Sequence, residues 1–363
     1  MHLLSKKNII FFLIGFLIVT LFFYFSDVFS ELQQMTPETE YTSVHNRKVY
    51  DVEYQENSVI DDLNETVYRG MSMDANEEHF FISDFGDYYV KMFNSDGTYN
   101  KNIGNGQGRG PGEFQNISDI SSTDEHIWTA DMQSLRLNRF SLSNSDDVLE
   151  ISMDRRPTRV ASNDSIAVVK WLMTEQLFSV FDNEGNEQFK FGTIEEARDD
   201  PFAFDGWIEL TEQYLVFVPM NVGIIYVFSI KDGLLIREIE TPHFSTIASS
   251  EEQVEGNRRR VVAPTSQYSS TSSVLVLPDT SNLVVYTLYR GDEIDDEEYD
   301  ASTADFWLDI YDLDDMSYIH SIQLPHAVSS FVINNGSLIT YNSTSGRGIS
   351  YDMTDELSDL IYP

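Results

Sequence analysis

HFFISDFGDYYVKMFNSDGTYNKNIG, residues 79–104, decides the fold. An apolar run, FFIS, closes in Asp84, and a polar gap follows. A second run, YYVKMF, ends in Phe93, and NSDG then leads into a third extended segment. Short runs rich in Phe, Tyr, Ile and Val, bounded by Asp, Asn and Gly, are strand signals. NSDG is a hairpin turn in which Gly or Asn accepts positive φ.

The same order recurs along the chain, in HIWTADMQSLRLNRFSLSNSDDVLEIS (126–152), SIAVVKWLMTEQLFSVFDNEGNEQFKFG (165–192) and YLVFVPMNVGIIYVFSIKDGLLIREIE (214–240). NLVVYTLY (282–289) resumes after an insertion as DFWLDIYDLDDMSYIHSIQLP (305–325), and SLITYNSTSGRGISYDMTDELSDLIY (337–362) ends the series. An aromatic precedes each turn: Phe93, Phe140, Phe181, Phe228, Tyr311 and Tyr351, at spacings of 47, 41, 47, 83 and 40. The long spacing coincides with two insertions rather than a lost unit. Each period holds four strands, led by NISDISS (116–122), TRVASN (158–163) or SVLVLP (273–278). Four-stranded sheets every forty-odd residues predict an all-β, six-bladed β-propeller over residues 46–363.

GNGQGRGPGEF (104–114) joins the first two units. A phosphate loop needs a Lys followed by Ser or Thr, then a helix whose N-terminus meets the anion. Here no lysine is in place and a strand, QNISDISS, follows, so the glycines are expected to turn the chain from one blade into the next. With this joint, FISDFGDYYVKMFNSDGTYNKNIGNGQGRGPGEFQNISDIS resembles an NHL-type repeat: a strand closing in aspartate, a strand ending near Phe, an Asp-Gly turn and a GxGPGEF-like joint. It is similar in particular to exported six-bladed propeller proteins of Bacteroidota. The resemblance is specific over residues 68–131, and beyond them only strand rhythm and turns persist. Many members of that group carry a lipid-modified cysteine. This chain has no cysteine, which also removes disulfides, thiolate metal sites and a cysteine nucleophile.

Propeller rings are commonly latched by a strand from one terminus completing a sheet begun by the other. RKVYDVEY (47–54) alternates well enough to complete the final blade, whose own last segment, DELSDLIYP, is a weak strand. Ahead of it, Lys6 and Lys7 precede an apolar run from Ile9 to Phe25. Residues 1–30 are expected to be a signal peptide or signal anchor, with retention as an anchor favoured by the bulky Phe-rich run. The lysines stay inside and the acidic body is exported, periplasmic or at the cell surface, or secreted if cleavage occurs before Glu31. Residues 31–45 are polar and form a tether.

Sixty acidic residues oppose 23 basic ones, a net charge of −37. A basic footprint for nucleic acid is excluded, and docking onto an anionic membrane surface is disfavoured. Antiparallel blades send alternate connections to opposite faces of the disc. The long ones, 104–116, 192–204, 241–271 and 290–304, all fall on one face, and loops of this kind are where binding usually resides. Arg109 lies there. SSEEQVEGNRRRVVAP (249–264) reads as a capped helix with glutamates in its first turn and Arg258, Arg259 and Arg260 in its last. The arginines either satisfy the helix dipole or grip a carboxylate or sulfated ligand.

GDEIDDEEYD (291–300) carries seven acidic residues but lacks the alternating Asp/Asn pattern with central Gly of a calcium loop. Ca2+ is therefore a secondary expectation, and no other cofactor is indicated. Asp84 and Asp131 close equivalent strands and either bond backbone amides of a neighbouring blade or converge on the central channel. No HExxH, GxSxG or dinucleotide fingerprint occurs. The sequence expectation is an envelope-tethered, non-catalytic module that binds an extracellular ligand or protein through Arg109, Arg258–Arg260, Asp84 and Asp131. The alternative is a metal-dependent hydrolase or lyase working in the channel, as in some NHL-like propellers.

Overall fold

The computed structural model describes residues 41–44, 47–50, 52, 56–200, 202–242, 251–255, 258–262, 269–277, 280–289 and 305–363. Six antiparallel sheets follow one another along the chain. We number them as blades I to VI and letter their strands a to d from axis to rim. Blade I comprises Gly70–Ala75, His79–Asp84, Tyr89–Asn94 and Tyr99–Ile103; blade II comprises Ile117–Ser122, His126–Asp131, Arg136–Ser141 and Val148–Ser152. Blade III runs Pro157–Ser162, Ile166–Trp171, Phe178–Asp182 and Glu187–Phe191, and blade IV Gly206–Leu210, Tyr214–Pro219, Ile224–Ser229 and Leu235–Glu240. Blade V runs Ser269–Val276, Asn282–Tyr289, Asp305–Asp312 and Ser317–Gln323, and blade VI supplies Ser330–Asn334, Ser337–Asn342 and Arg347–Asp352. Each a strand contacts the next around the circle, and that of blade VI contacts that of blade I, so the ring is closed.

The core is divided as a propeller requires, with one apolar cluster between each pair of neighbours. Phe81, Val90 and Met92 of blade I meet Ile120, Ile127 and Phe140 of blade II. Phe178 and Val180 of blade III meet Ile208, Phe217 and Phe228 of blade IV. The six aromatics that set the sequence period are the penultimate residues of the six c strands, and all are buried. Full burial of such a side chain stabilises by roughly 1.5–3 kcal/mol. Gly97, Gly185 and Gly233, ending the NSDG, DNEG and KDG turns, have φ of +86°, +84° and +70°.

The Gly-rich joint is a folded loop. Asn105 N donates to Gly112 O and Phe114 N to Gly106 O, both at 2.8 Å, and Phe114 is driven fully into the blade I–II core. Gly104 sits at φ +98°, and a Cβ there would lie 2.3 Å from the Phe114 ring. That contact, not a phosphate, requires the glycine.

Three sequence expectations are corrected. The strand that completes blade VI is Glu56–Val59, antiparallel to Arg347–Asp352, rather than the 47–54 segment. Arg47–Tyr50 instead runs parallel to the d strand of blade V, flanked by Tyr41–Val44 within the stretch read as tether. The buried Arg47 side chain explains the choice, because its guanidinium finds Asp309 in the c strand of blade V. The final segment is a helix, Asp355–Ile361, capped by Thr354 Oγ1 accepting from Leu357 N and burying Leu357, Leu360 and Ile361. Third, 249–264 contains no helix where it is described: Glu251–Glu255 and Arg258–Val262 form an antiparallel hairpin with Glu255 opposite Arg258 and Gln253 opposite Arg260. The β-branched Val254, Val261 and Val262 favour the strand.

The expected apolar N-terminal segment and the acidic 291–300 run lie outside the described residues. Among the described residues, no helix is long and apolar enough to cross a membrane.

Candidate functional site

The six a strands enclose an axial cavity of about 30 Å³, touched by every blade. Its lining is polar, and inner-strand groups there tie blade I to II, II to III, III to IV, IV to V and VI to I. Asp74 of blade I accepts from the backbone amide of Ser122 in blade II and, at 3.1 Å, from its hydroxyl. Asp119 of blade II accepts from Val160 N of blade III at 3.0 Å, and from Ser72 Oγ of blade I at 2.6 Å. Arg159 of blade III lies 4.0 Å over the Trp207 ring of blade IV. Glu209 of blade IV accepts from the Val276 amide of blade V. Ser330 Oγ of blade VI accepts from Met73 N of blade I at 3.0 Å, closing the circle.

These carboxyls are poorly solvated, and their acidities show it. Burial pushes Asp74 up to about 6, against the lowering effect of the Ser122 and Ala75 amides. Asp119 is raised by burial despite Arg159, and Glu209 is raised well above the usual range by burial and then by the charges of Asp74 and Asp119. Beside the channel, burial pulls Lys170 down to about 8, its Nζ 3.4 Å from Asp205. Burial alone would raise Asp205, but Arg159 and Lys170 outweigh it and hold it low. Among the described residues, no three His, Asp or Glu side chains are grouped to hold a metal ion.

The sequence-predicted residues are not brought together. Asp84 closes the b strand of blade I and accepts from Tyr68 N, Arg69 N and Gly86 N at 2.7–2.8 Å. Asp131, its counterpart in blade II, accepts from the amides of Gln115, Asn116, Gln133 and Ser134. Both therefore fasten an entering joint to the b–c turn of its own blade, and Asn342 supplies the same kind of acceptor in blade VI. Arg109 is exposed, and its carbonyl accepts from Arg136 Nη2 at 2.6 Å. The backbone of Arg258–Arg260 is in the hairpin, and their side chains lie outside the description.

Strand order confirms that the b–c and d–a connections share one face and the a–b and c–d turns the other. The Gly-rich joint, 104–116, belongs to the first, the joint face. It also presents Tyr68, Met71 and Met173, which are 70%, 44% and 67% exposed. The opposite, turn face carries a feature the sequence reading missed. Asn76, Thr123, Asn163 and Thr211 occupy equivalent a–b turns, and each side-chain oxygen accepts from the two amides that start its b strand. An exposed acid, Glu77, Asp124, Asp164 or Glu212, follows each. Three of these turns, with Asn334 and Asn335, surround a basin of about 420 Å³ over the channel mouth. The repeated Asn/Thr–acid pair before each b strand was the available signal.

No known family profile matches this chain, and no curated protein resembles it in sequence. Its likenesses are structural. A member of the DUF4221 family from Bacteroides vulgatus superposes with a TM-score of 0.54 at 11% identity, covering 83% of this chain and 97% of that one. Hydrazine synthase of Kuenenia stuttgartiensis gives 0.52 at 13%, covering 82% and 80%, and U3-55K gives 0.50 at 9%, covering 78% and 95%. At these identities they show a shared fold alone. The six-bladed propeller is thus supported both by its own sheet order and by its neighbours.

Proposed function

We propose that this chain is a non-catalytic recognition module, exported and held at the cell envelope by its N-terminal segment, that binds an extracellular ligand or protein on the joint face. The observation that carries the reading is the channel. An axial space of about 30 Å³ is smaller by an order of magnitude than the roughly 300–1,000 Å³ of small-molecule sites. The side chains around it tie neighbouring blades together. Recognition then belongs to the surface of the disc. The joint face carries the Gly-rich joint with Arg109, and the exposed Tyr68, Met71 and Met173. Exposed aromatics, Met and Arg are the residues enriched in binding interfaces.

Kinship with the NHL-type exported propellers of Bacteroidota is part of the same proposal. It rests on the 68–131 motif and is consistent with the Bacteroides likeness.

The test is binding of the purified chain to peptide and glycan arrays and to envelope extracts, repeated with face-specific variants. Loss of the bound set in Tyr68→Ala/Met173→Glu, with retention in Asp124→Asn/Asp164→Asn, supports the joint face. The reverse pattern moves recognition to the basin of the turn face. A stoichiometric metal in the purified chain, with a hydrolase or lyase activity abolished by Asp119→Asn, establishes the enzymatic alternative and overturns the proposal.

A further inference from the structure

The axial cavity places carboxyls from three different blades against one small space. Asp74, Asp119 and Glu209, of blades I, II and IV, all line about 30 Å³, room for a water or two. So little water cannot solvate three charges. Each carboxyl is also held in place, by the Ser122, Val160 and Val276 amides respectively, so none can swing out to bulk solvent without breaking a tie between blades. The groups facing them are few. Ser72 and Ser122 offer hydroxyls to Asp119 and Asp74. Arg159 of blade III is the cation acting on Asp119, but it is shared with Asp205 and stacked on Trp207. Glu209 is acted on by the two aspartates and accepts from the Val276 amide.

We propose that closure of the propeller ring is proton-linked: the inner strands clasp most firmly when the axial carboxyls hold protons, and the ring loosens as those protons leave. A proton removes the mutual repulsion while a carboxyl oxygen continues to accept from the neighbouring blade's amide. The sign follows from linkage. A group whose folded-state value is raised holds its proton after the unfolded chain has lost it, so stability falls as pH rises between the two values. For Asp74 the window runs from 3.8 to about 6. Glu209 is raised in the same direction by burial and by the two aspartates, and adds to the fall. Histidines titrate in the same region, and comparison of wild type with a variant at each pH removes their contribution.

The experiment is urea unfolding of the full chain from pH 4.5 to 8, with wild type, Glu209→Gln and Asp74→Asn. Both replacements keep an amide oxygen as acceptor. Asp74 alone changes the unfolding constant about 100-fold across its window, at tenfold per pKa unit. The wild-type midpoint is expected to fall with rising pH. Each replacement is expected to flatten the fall, Asp74→Asn below about pH 6. Profiles of both variants running parallel to wild type across the whole range overturn the proposal. If one variant fails to fold, the other decides alone, because each removes a different axial carboxyl.

Discussion

Arg47 and Asp309 are 262 residues apart, and both side chains are fully buried. Nε and Nη2 of the arginine donate to the two carboxylate oxygens at 2.8 and 2.9 Å, and the guanidinium lies 4.3 Å over the Trp307 ring. Thr287 and Ser321 hydroxyls supply the remaining donors to Asp309. Replacing Arg47 by Met keeps much of the packing volume but leaves a carboxylate in the sheet with two hydroxyls and no cation. Breaking a buried pair by removing one partner costs about 3–5 kcal/mol. That exceeds what a parallel edge pairing as short as Val49–Ser321 and Tyr50–Ile322 can restore. The strand is therefore expected to detach, exposing Val49 and Tyr50 as well. Urea unfolding gives the loss directly, and Arg47→Met/Asp309→Leu completes a double-mutant cycle. The double variant should recover most of the loss, since apolar replacement of a buried pair is often neutral. A single-variant cost below about 1 kcal/mol, typical of an exposed ion pair, refutes the assignment of this contact as the latch.

Asp131→Ala strips the acceptor from four backbone amides and is expected to cost about 2–4 kcal/mol in thermal or urea unfolding, as buried unsatisfied donors do. Gly192→Ala meets both a φ of +83° and a Phe178 ring carbon 2.2 Å from the new Cβ, so a loss of at least ~1 kcal/mol is expected. A variant as stable as wild type would show that the joint relaxes freely. Burial holds the His320 imidazole down to about 4, with Nε2 2.7 Å from the Leu360 carbonyl of the C-terminal helix. Its contribution is complete above pH 6.5 and is lost as pH falls towards 4. His320→Gln should flatten that acid limb of the unfolding profile, and an unchanged slope counts against the burial argument.

The blades were legible because their signals are local. An aromatic such as Phe93 before an Asx-Gly turn names a c strand, whatever surrounds it. The ties of the channel were not legible. Asp74, Asp119 and Glu209 alternate with apolar residues as solvent-facing strand residues do, and only ring closure turns them inward. The hairpin at 251–262 was missed because glutamates followed by arginines suit a helix dipole and a cross-strand ladder equally. The β-branched Val254, Val261 and Val262 were the available signal for strands. The C-terminal helix had its own marks, Thr354 as N-cap and Leu357, Leu360 and Ile361 at i, i+3 and i+4. The latch strand was assigned to the wrong blade because Arg47 chooses its sheet through Asp309, a contact that no window of sequence contains.

That long-range contact has a consequence for biogenesis. The segments that complete blades V and VI leave the ribosome long before their partners, Ser317–Gln323 and Arg347–Asp352. Glu56–Val59 must wait for its partner until the intervening blades have been made. A nascent chain cut short anywhere before Arg347 lacks the sheet that Glu56–Val59 joins. Such products are left with an open-edged blade, and blade VI is completed only once Arg347–Asp352 has been made.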